Sequence, residues 1–326
     1  MREEIISFES DGLRLKGVLR YPEEREGRIP GVLLVHGSLE HDRDGNIISH
    51  PDGRDVYKKN FFLEISSHLC TAGFATFSWD RRGFGESSGS GGDTLSAVRD
   101  TRSALYVLCS EDEIVDSDRI ALLAHSAGVY TACRLAEDDD RPKAYILQGG
   151  LCSDYSDMLA FNYQRVKEYA EKSPENLLWV EKNDLWGLVM GNNLPLLENA
   201  AKEGRVECDM TYKDRSWKVQ SEPLLYKPEY APSNQFKYIK KPTLLVHGAC
   251  DLNVPVEDVC MIEKELRSSG NNDVEMVIIP DADHSFQEVL KDEETRLREG
   301  MSLESFKRPY KHEFFDVLIE YLERRL

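Results

Sequence analysis

The chain opens on two short stretches, residues 3–8 and 13–21, in which apolar and polar positions alternate with the period of a half-buried strand. Asp11-Gly12 joins them, a dipeptide that accepts the left-handed backbone of a tight hairpin turn. Beyond it the pattern changes. Pro30-Gly31-Val32-Leu33-Leu34-Val35-His36 is a continuous apolar run, and residues 74–79, 120–124, 144–147, 242–247 and 274–279 have the same character. Such runs suit strands of a parallel sheet, which are covered on both faces. Helical patterning predicts helices over 57–72, 93–108, 126–136, 256–268 and 310–325. In the second of these Ala97, Thr101, Ala104, Leu105 and Leu108 share one face, and Asp93 or Thr94 can cap its first N–H groups. Strand alternating with helix predicts an α/β fold: a doubly wound, mostly parallel sheet, with the hairpin as antiparallel strands at one edge.

The alternation stops between residues 151 and 240. That stretch is charged and aromatic-rich, mainly helical in pattern as over 163–172 and 194–202, and holds Trp179, Trp186 and Trp217. Strand-like runs resume immediately after it. The expected organisation is a core domain of residues 1–150 and 241–326, interrupted by a helical cap over 151–240.

Composition narrows the classes. With 326 residues, 40% of them hydrophobic, the chain can bury a large core. Its formal net charge of -18 repels phosphate backbones and anionic lipid, so neither nucleic acid nor membrane is an expected partner. No apolar stretch approaches the roughly 20 residues of a membrane span, and after Met1-Arg2-Glu3-Glu4, with no apolar run behind it, no signal peptide is expected. Seven irregularly spaced cysteines without a CxxC pair fit reduced thiols better than a disulfide framework or a zinc site. The expected compartment is the cytoplasm; the oligomeric state stays open, a homodimer included.

Candidate chemistry gathers at strand ends. Ile120-Ala121-Leu122-Leu123-Ala124-His125-Ser126-Ala127-Gly128 reads as strand, sharp turn, helix. A serine at such a turn presents its hydroxyl above the sheet, and its neighbours two residues away must be small. The usual pattern is Gly-x-Ser-x-Gly; here Ala124 replaces the first glycine. Ser126 needs a base, and the base a carboxylate. Asp251 follows the strand ending His247-Gly248, and His284 follows the strand 274–279, so both fall at the sheet edge that carries Ser126. His125 is expected to point away, His247 lies inside a strand, and His68 and His312 fall in or near helices. Asp281 and Asp283 rival Asp251, but stand too near His284 in sequence to reach its far ring nitrogen readily. The amides of Ala127 and Ser38, the latter after the strand-ending His36-Gly37, are the candidate oxyanion donors.

The loop beyond Ser38 runs to about residue 55 and is expected to form a charged lip from which His41 or Arg43 contacts substrate. Its Asp42-Arg43-Asp44-Gly45-Asn46 starts like a calcium loop but has Gly53 where the twelfth-position glutamate belongs, so no metal is expected. Gly89-Ser90-Gly91-Gly92 lacks the lysine of a phosphate-binding loop, and no cofactor is expected.

Together His36-Gly37, the segment Asp80-Arg81-Arg82-Gly83-Phe84-Gly85-Glu86-Ser87, Ala124-His125-Ser126-Ala127-Gly128, Gly248-Ala249-Cys250-Asp251 and Asp283-His284-Ser285 resemble the α/β-hydrolase superfamily over essentially the whole chain. The resemblance implies a Ser126–His284–Asp251 triad, and a mainly structural role for the Asp80–Ser87 turn. Within the superfamily the chain looks like bacterial carboxylesterases, including those acting on cinnamoyl and feruloyl esters. The expected activity is hydrolysis of a small-molecule ester through an acyl-enzyme. Peptidase, thioesterase and acyltransferase activity remain open with the same triad, as does a receptor built on a hydrolase pocket.

Overall fold

A computed structural model describes residues 1–38, 41–48, 58–289, 292–300 and 303–326. β1 (Arg2–Ser10) and β2 (Leu13–Tyr21) pair antiparallel from Arg2↔Tyr21 to Ser10↔Leu13. Asp11 and Gly12 both take positive φ at the turn, 51° and 72°. Then come β3 (Ile29–Val35), α1 (Phe61–Thr71), β4 (Ala75–Trp79), α2 (Thr94–Ser110), β5 (Val115–His125), α3 (Ala127–Leu135) and β6 (Ala144–Gln148). The middle stretch contributes α4 (Tyr155–Glu171), α5 (Pro174–Asn183), α6 (Leu185–Lys202) and an antiparallel hairpin, β7 (Glu207–Tyr212) and β8 (Arg215–Gln220). The chain closes through β9 (Thr243–Gly248), α7 (Glu257–Ser268), β10 (Val274–Ile279), α8 (Glu293–Gly300) and α9 (His312–Arg325).

Among the described residues eight strands form one sheet in the order β1-β2-β4-β3-β5-β6-β9-β10. All neighbours from β4 to β10 run parallel; only β1–β2 and β2–β4 are antiparallel. This is the doubly wound sheet that the apolar runs predict. Successive residues of β3 serve opposite faces, as strand geometry dictates. Leu33 and Val35 join Leu105, Leu108 and Ala132 on one side; Val32 and Leu34 join Phe61, Ile65 and Leu318 on the other. These side chains are almost wholly buried, and burial of each leucine, isoleucine or phenylalanine contributes about 2 kcal/mol.

Helix limits differ from the sequence expectation where a local backbone feature intervenes. α1 begins at Phe61, four residues later than expected, because Asn60 takes a left-handed conformation (φ 53°, ψ 35°); residue 57, where the pattern starts, lies outside the described residues. Asp93 caps α2, its side chain accepting from the Ser96 N–H at 2.7 Å. α6 starts at Leu185 and carries Pro195 within it, whereas the sequence pattern suggests a start near that proline. Helices α4–α6 and the β7–β8 hairpin have apolar clusters of their own, one around Leu159, Val189, Leu197 and Met210, another around Val166, Tyr169 and Val180. Among the described residues no helix is long and apolar enough to cross a membrane. The seven cysteines are unpaired.

Candidate active site

Ser126 sits between β5 and α3 with φ 53° and ψ -122°, a conformation that costs a non-glycine residue on the order of 1–3 kcal/mol. Three contacts hold it there. Its N–H donates to the Gln148 carbonyl (2.8 Å), its own carbonyl accepts from Val129 N–H (3.0 Å), and β5 is locked between β3 and β6, with Ala124 opposite Val35 and Leu147. Gly128 is required for space: a Cβ there would lie 2.5 Å from the carbonyl oxygens of Val35 and His36. Ala124 is fully buried in the sheet, so the methyl group replacing the customary glycine fits the bend.

Asp251 and His284 come from the loops after β9 and β10, which run side by side. Ala249 N–H donates to Ile279 O (2.9 Å) and Cys250 N–H to Ala282 O (2.8 Å). Any Cβ on Gly248 would fall 2.3 Å from the Asp283 carbonyl oxygen, so this approach needs glycine. His284 Nδ1 then stands 2.6 Å from Asp251 Oδ2, while Asp251 Oδ1 accepts from the N–H groups of Asn253 (2.6 Å) and Val254 (2.9 Å). Burial works against the Asp251 carboxylate. The opposing pull of His284, its hydrogen bond, His247 and the Val254 amide is greater, and holds the Asp251 pKa at about 2. An ionised carboxylate only accepts, so Nδ1 of a neutral His284 carries the proton and Nε2 the lone pair.

The four histidines weighed against His284 have other contacts. His125 Nε2 donates to the His284 carbonyl (3.0 Å), with the two ring centroids 4.7 Å apart, so it braces the His284 backbone from behind the serine. His247 is fully buried, its Nε2 3.3 Å from Asp251 Oδ2. His68 stacks on Phe315 at 3.8 Å, with His312 edge-on to it. Asp283 Oδ1 accepts from the Ser285 and Gln287 N–H groups and its Oδ2 pairs with Arg308, so both oxygens are taken.

Sequence reasoning missed Gly149. It lines the same cavity as Ser126, takes φ 55°, and lies so close to His284 that a Cβ would meet Cε1 at 2.9 Å and Nδ1 at 3.0 Å. Its N–H donates to Val246 O, which fixes this contact to β9. Gly149 thus joins the serine turn to the imidazole. A glycine pair ending an apolar run was its only signal in the sequence.

Ser38 and Ala127 also line this cavity of about 250 Å³, which reaches α4 at Tyr155 and Leu159. Arg81 Nη1 donates to the carbonyls of Ser38 (2.8 Å) and Gly37 (3.3 Å), clamping the loop that carries the Ser38 amide. Arg43 does not stand over the cavity. Its guanidinium grips both oxygens of buried Asp80 (3.0 and 2.6 Å) and reaches Glu86, while His41 stacks on Phe84. Neither lines the cavity, so the expected substrate contact from these two residues gives way to a tie between this loop and the turn after β4. Asp42 is committed to the Asp44 and Asn46 N–H groups. The further course of this loop, residues 49–57 with Gly53, lies outside the described residues. From the middle stretch α4 brings Arg165 near: burial lowers its pKa to about 10, against the foremost opposing pull of Asp251.

A doubly wound sheet with a strained serine at a strand–helix bend is the framework of the α/β hydrolases. The alpha/beta hydrolase family pattern matches residues 32–294, and the chain belongs to this family. An uncharacterized 31.7 kDa protein of Escherichia coli, from the traX-finO intergenic region, is 26% identical over 204 residues, covering 61% of this chain and 70% of that protein. An esterase of Pyrococcus furiosus shares the fold at 16% identity and a TM-score of 0.59, over 99% of this chain and 91% of the esterase. The acylaminoacyl peptidase of Pyrococcus horikoshii matches at 19% identity and a TM-score of 0.54. All of this chain is covered, but it spans only 42% of the peptidase's length.

Proposed function

We propose that the chain hydrolyses carboxylic esters through an acyl-enzyme on Ser126, with His284 as base, Asp251 as its orienting carboxylate, and residues 151–240 as a cap over the cavity. The observation that carries this reading is Asp251 Oδ2 at 2.6 Å from His284 Nδ1, with Gly149 packed against the same imidazole and the neighbouring Gln148 carbonyl accepting from the N–H of the strained Ser126. In the proposed cycle His284 Nε2 takes the Ser126 proton as Oγ attacks the carbonyl carbon. The amides of Ser38 and Ala127 stabilise the oxyanion, aided by the N-terminus of α3. Collapse expels the alcohol, which receives its proton from His284. Water, deprotonated by the same ring, then releases the acid and restores the serine.

The test uses p-nitrophenyl esters beside the matching anilides and thioesters, with a fluorophosphonate label. The wild type should take one label and turn over esters fastest. Ser126→Ala should remain folded, lose the label and lose about 10⁴-fold or more in turnover. Undiminished hydrolysis by Ser126→Ala overturns the nucleophile assignment, and faster anilide or thioester cleavage overturns the ester assignment.

A further inference from the structure

Glu222 lies between β8 and a 3-10 turn (Pro223–Tyr226), half-buried in the wall of the cavity that holds Ser126. Its backbone is left-handed (φ 50°, ψ 54°), an unfavourable state for a side chain of this size. The neighbours impose it: buried Ser221 donates its N–H to Val206 O (3.0 Å), and Leu225 N–H donates to the Glu222 carbonyl (3.0 Å). Of the carboxylate oxygens, Oε2 accepts from Thr94 Oγ1 at 2.9 Å. No lysine or arginine among the described residues forms an ion pair with Glu222.

The other charged groups lining the cavity are answered. Arg82 grips Asp100 with two hydrogen bonds (2.7 and 2.5 Å) and also reaches Asp11; Asp93 caps α2; Arg81 holds the Ser38 loop. The N-terminus of α2 offers partial positive charge to Glu222, but Asp93 already shares it. Burial pushes the Glu222 carboxyl up, aided by the charge of Asp93, while the Thr94 hydrogen bond and, less strongly, the charge of Arg81 pull it down without an ion pair forming. A carboxylate in that position is stabilised most by an incoming cation. The cavity walls also present aromatic rings, among them Trp79, Phe84, Tyr155 and Tyr163. Of these, Tyr155 lies within electrostatic reach of Glu222, and a carboxylate with a ring close by suits an ammonium group, which gains from both the charge and the ring face.

We infer that Glu222 is a specificity residue that receives an ammonium group on the substrate, so that the esters preferred by this enzyme carry a cationic arm. The inference rests on the esterase reading for its catalytic consequence, but not for binding itself. A merely structural Glu222 would tie the middle stretch to α2 through Thr94. Glu222→Gln separates the two roles, because the amide oxygen still accepts from Thr94 while the charge is gone.

Two measurements test it. In the first, p-nitrophenyl esters of ω-trimethylammonio-alkanoic acids are compared with alkanoate esters of equal length, over a ladder of chain lengths. The wild type should favour the cationic member, and Glu222→Gln should cut the ratio of the two kcat/KM values by about tenfold, the range of a cation held by charge and ring faces in a partly desolvated site. An unchanged ratio overturns the inference while leaving the esterase reading in place. In the second, alkyltrimethylammonium ions and the corresponding alcohols are titrated calorimetrically into Ser126→Ala, which needs no turnover. The ammonium should bind about tenfold tighter, and Glu222→Gln in the same background should abolish most of the difference. Equal affinities overturn the inference. If ammonium selectivity is present but no ester is cleaved, the esterase reading alone fails.

Discussion

At Ser126 the strain is local and the restraint is not. One residue holds an unfavourable φ because two flanking strands and a helix leave it no other. Asp251 shows the same logic in charge. Its folded pKa, about 2, lies below the ordinary value of 3.8, so ionisation stabilises the fold. That contribution is complete above about pH 4 and disappears as the pH falls through about 2. Between pH 4 and 8 Asp251 does not titrate, and the acid limb of kcat/KM should follow one ionisation, that of His284. A limb with a slope of two would contradict this assignment. Asp251→Asn should cost about 10⁴-fold in kcat at neutral pH, since the amide favours the wrong imidazole tautomer; steady-state kinetics on the folded variant checks it. Ser126, Asp251 and His284 were visible in the sequence because each follows an apolar run. Gly149 and Glu222 were not: the first acts by the side chain it lacks, and the second lies where no periodic pattern frames it.

Strand ends and loops decide how those residues meet. The continuous apolar runs revealed the parallel strands, and Asp11-Gly12 revealed the hairpin, because each follows from a single local preference. The β7–β8 hairpin escaped notice since its turn is Lys213-Asp214, with Lys213 rather than glycine at positive φ (54°). α6 looked shorter than it is because Pro195 normally starts a helix, and here packing around Leu188, Val189 and Leu197 carries the helix through it. The end of β6 gives an element-level prediction. Gly149→Ala should leave a folded protein, destabilised by about 1–2 kcal/mol through its positive φ. It should also displace the imidazole and lower kcat/KM by about 10²-fold. Thermal melting beside ester kinetics measures both, and full activity would show that the contact does not position His284.

Over the whole molecule the net charge of -18 acts at longer range than any contact. It should concentrate cations near the surface and repel anions. If Glu222 receives an ammonium group, kcat/KM for cationic esters should fall by about tenfold between roughly 10 mM and 500 mM salt, as screening shortens the field. Neutral esters of the same length should change little, and parallel salt series in stopped-flow or plate assays would show any failure of this contrast. The order of the strands has a consequence of another kind. The proposed nucleophile follows β5, while its proposed acid and base follow β9 and β10, which come after the entire middle stretch of the chain. During synthesis the serine bend therefore emerges well before its partners exist. On the proposed triad, a growing chain stays chemically silent until β9 and β10 have left the ribosome and joined the edge of the sheet.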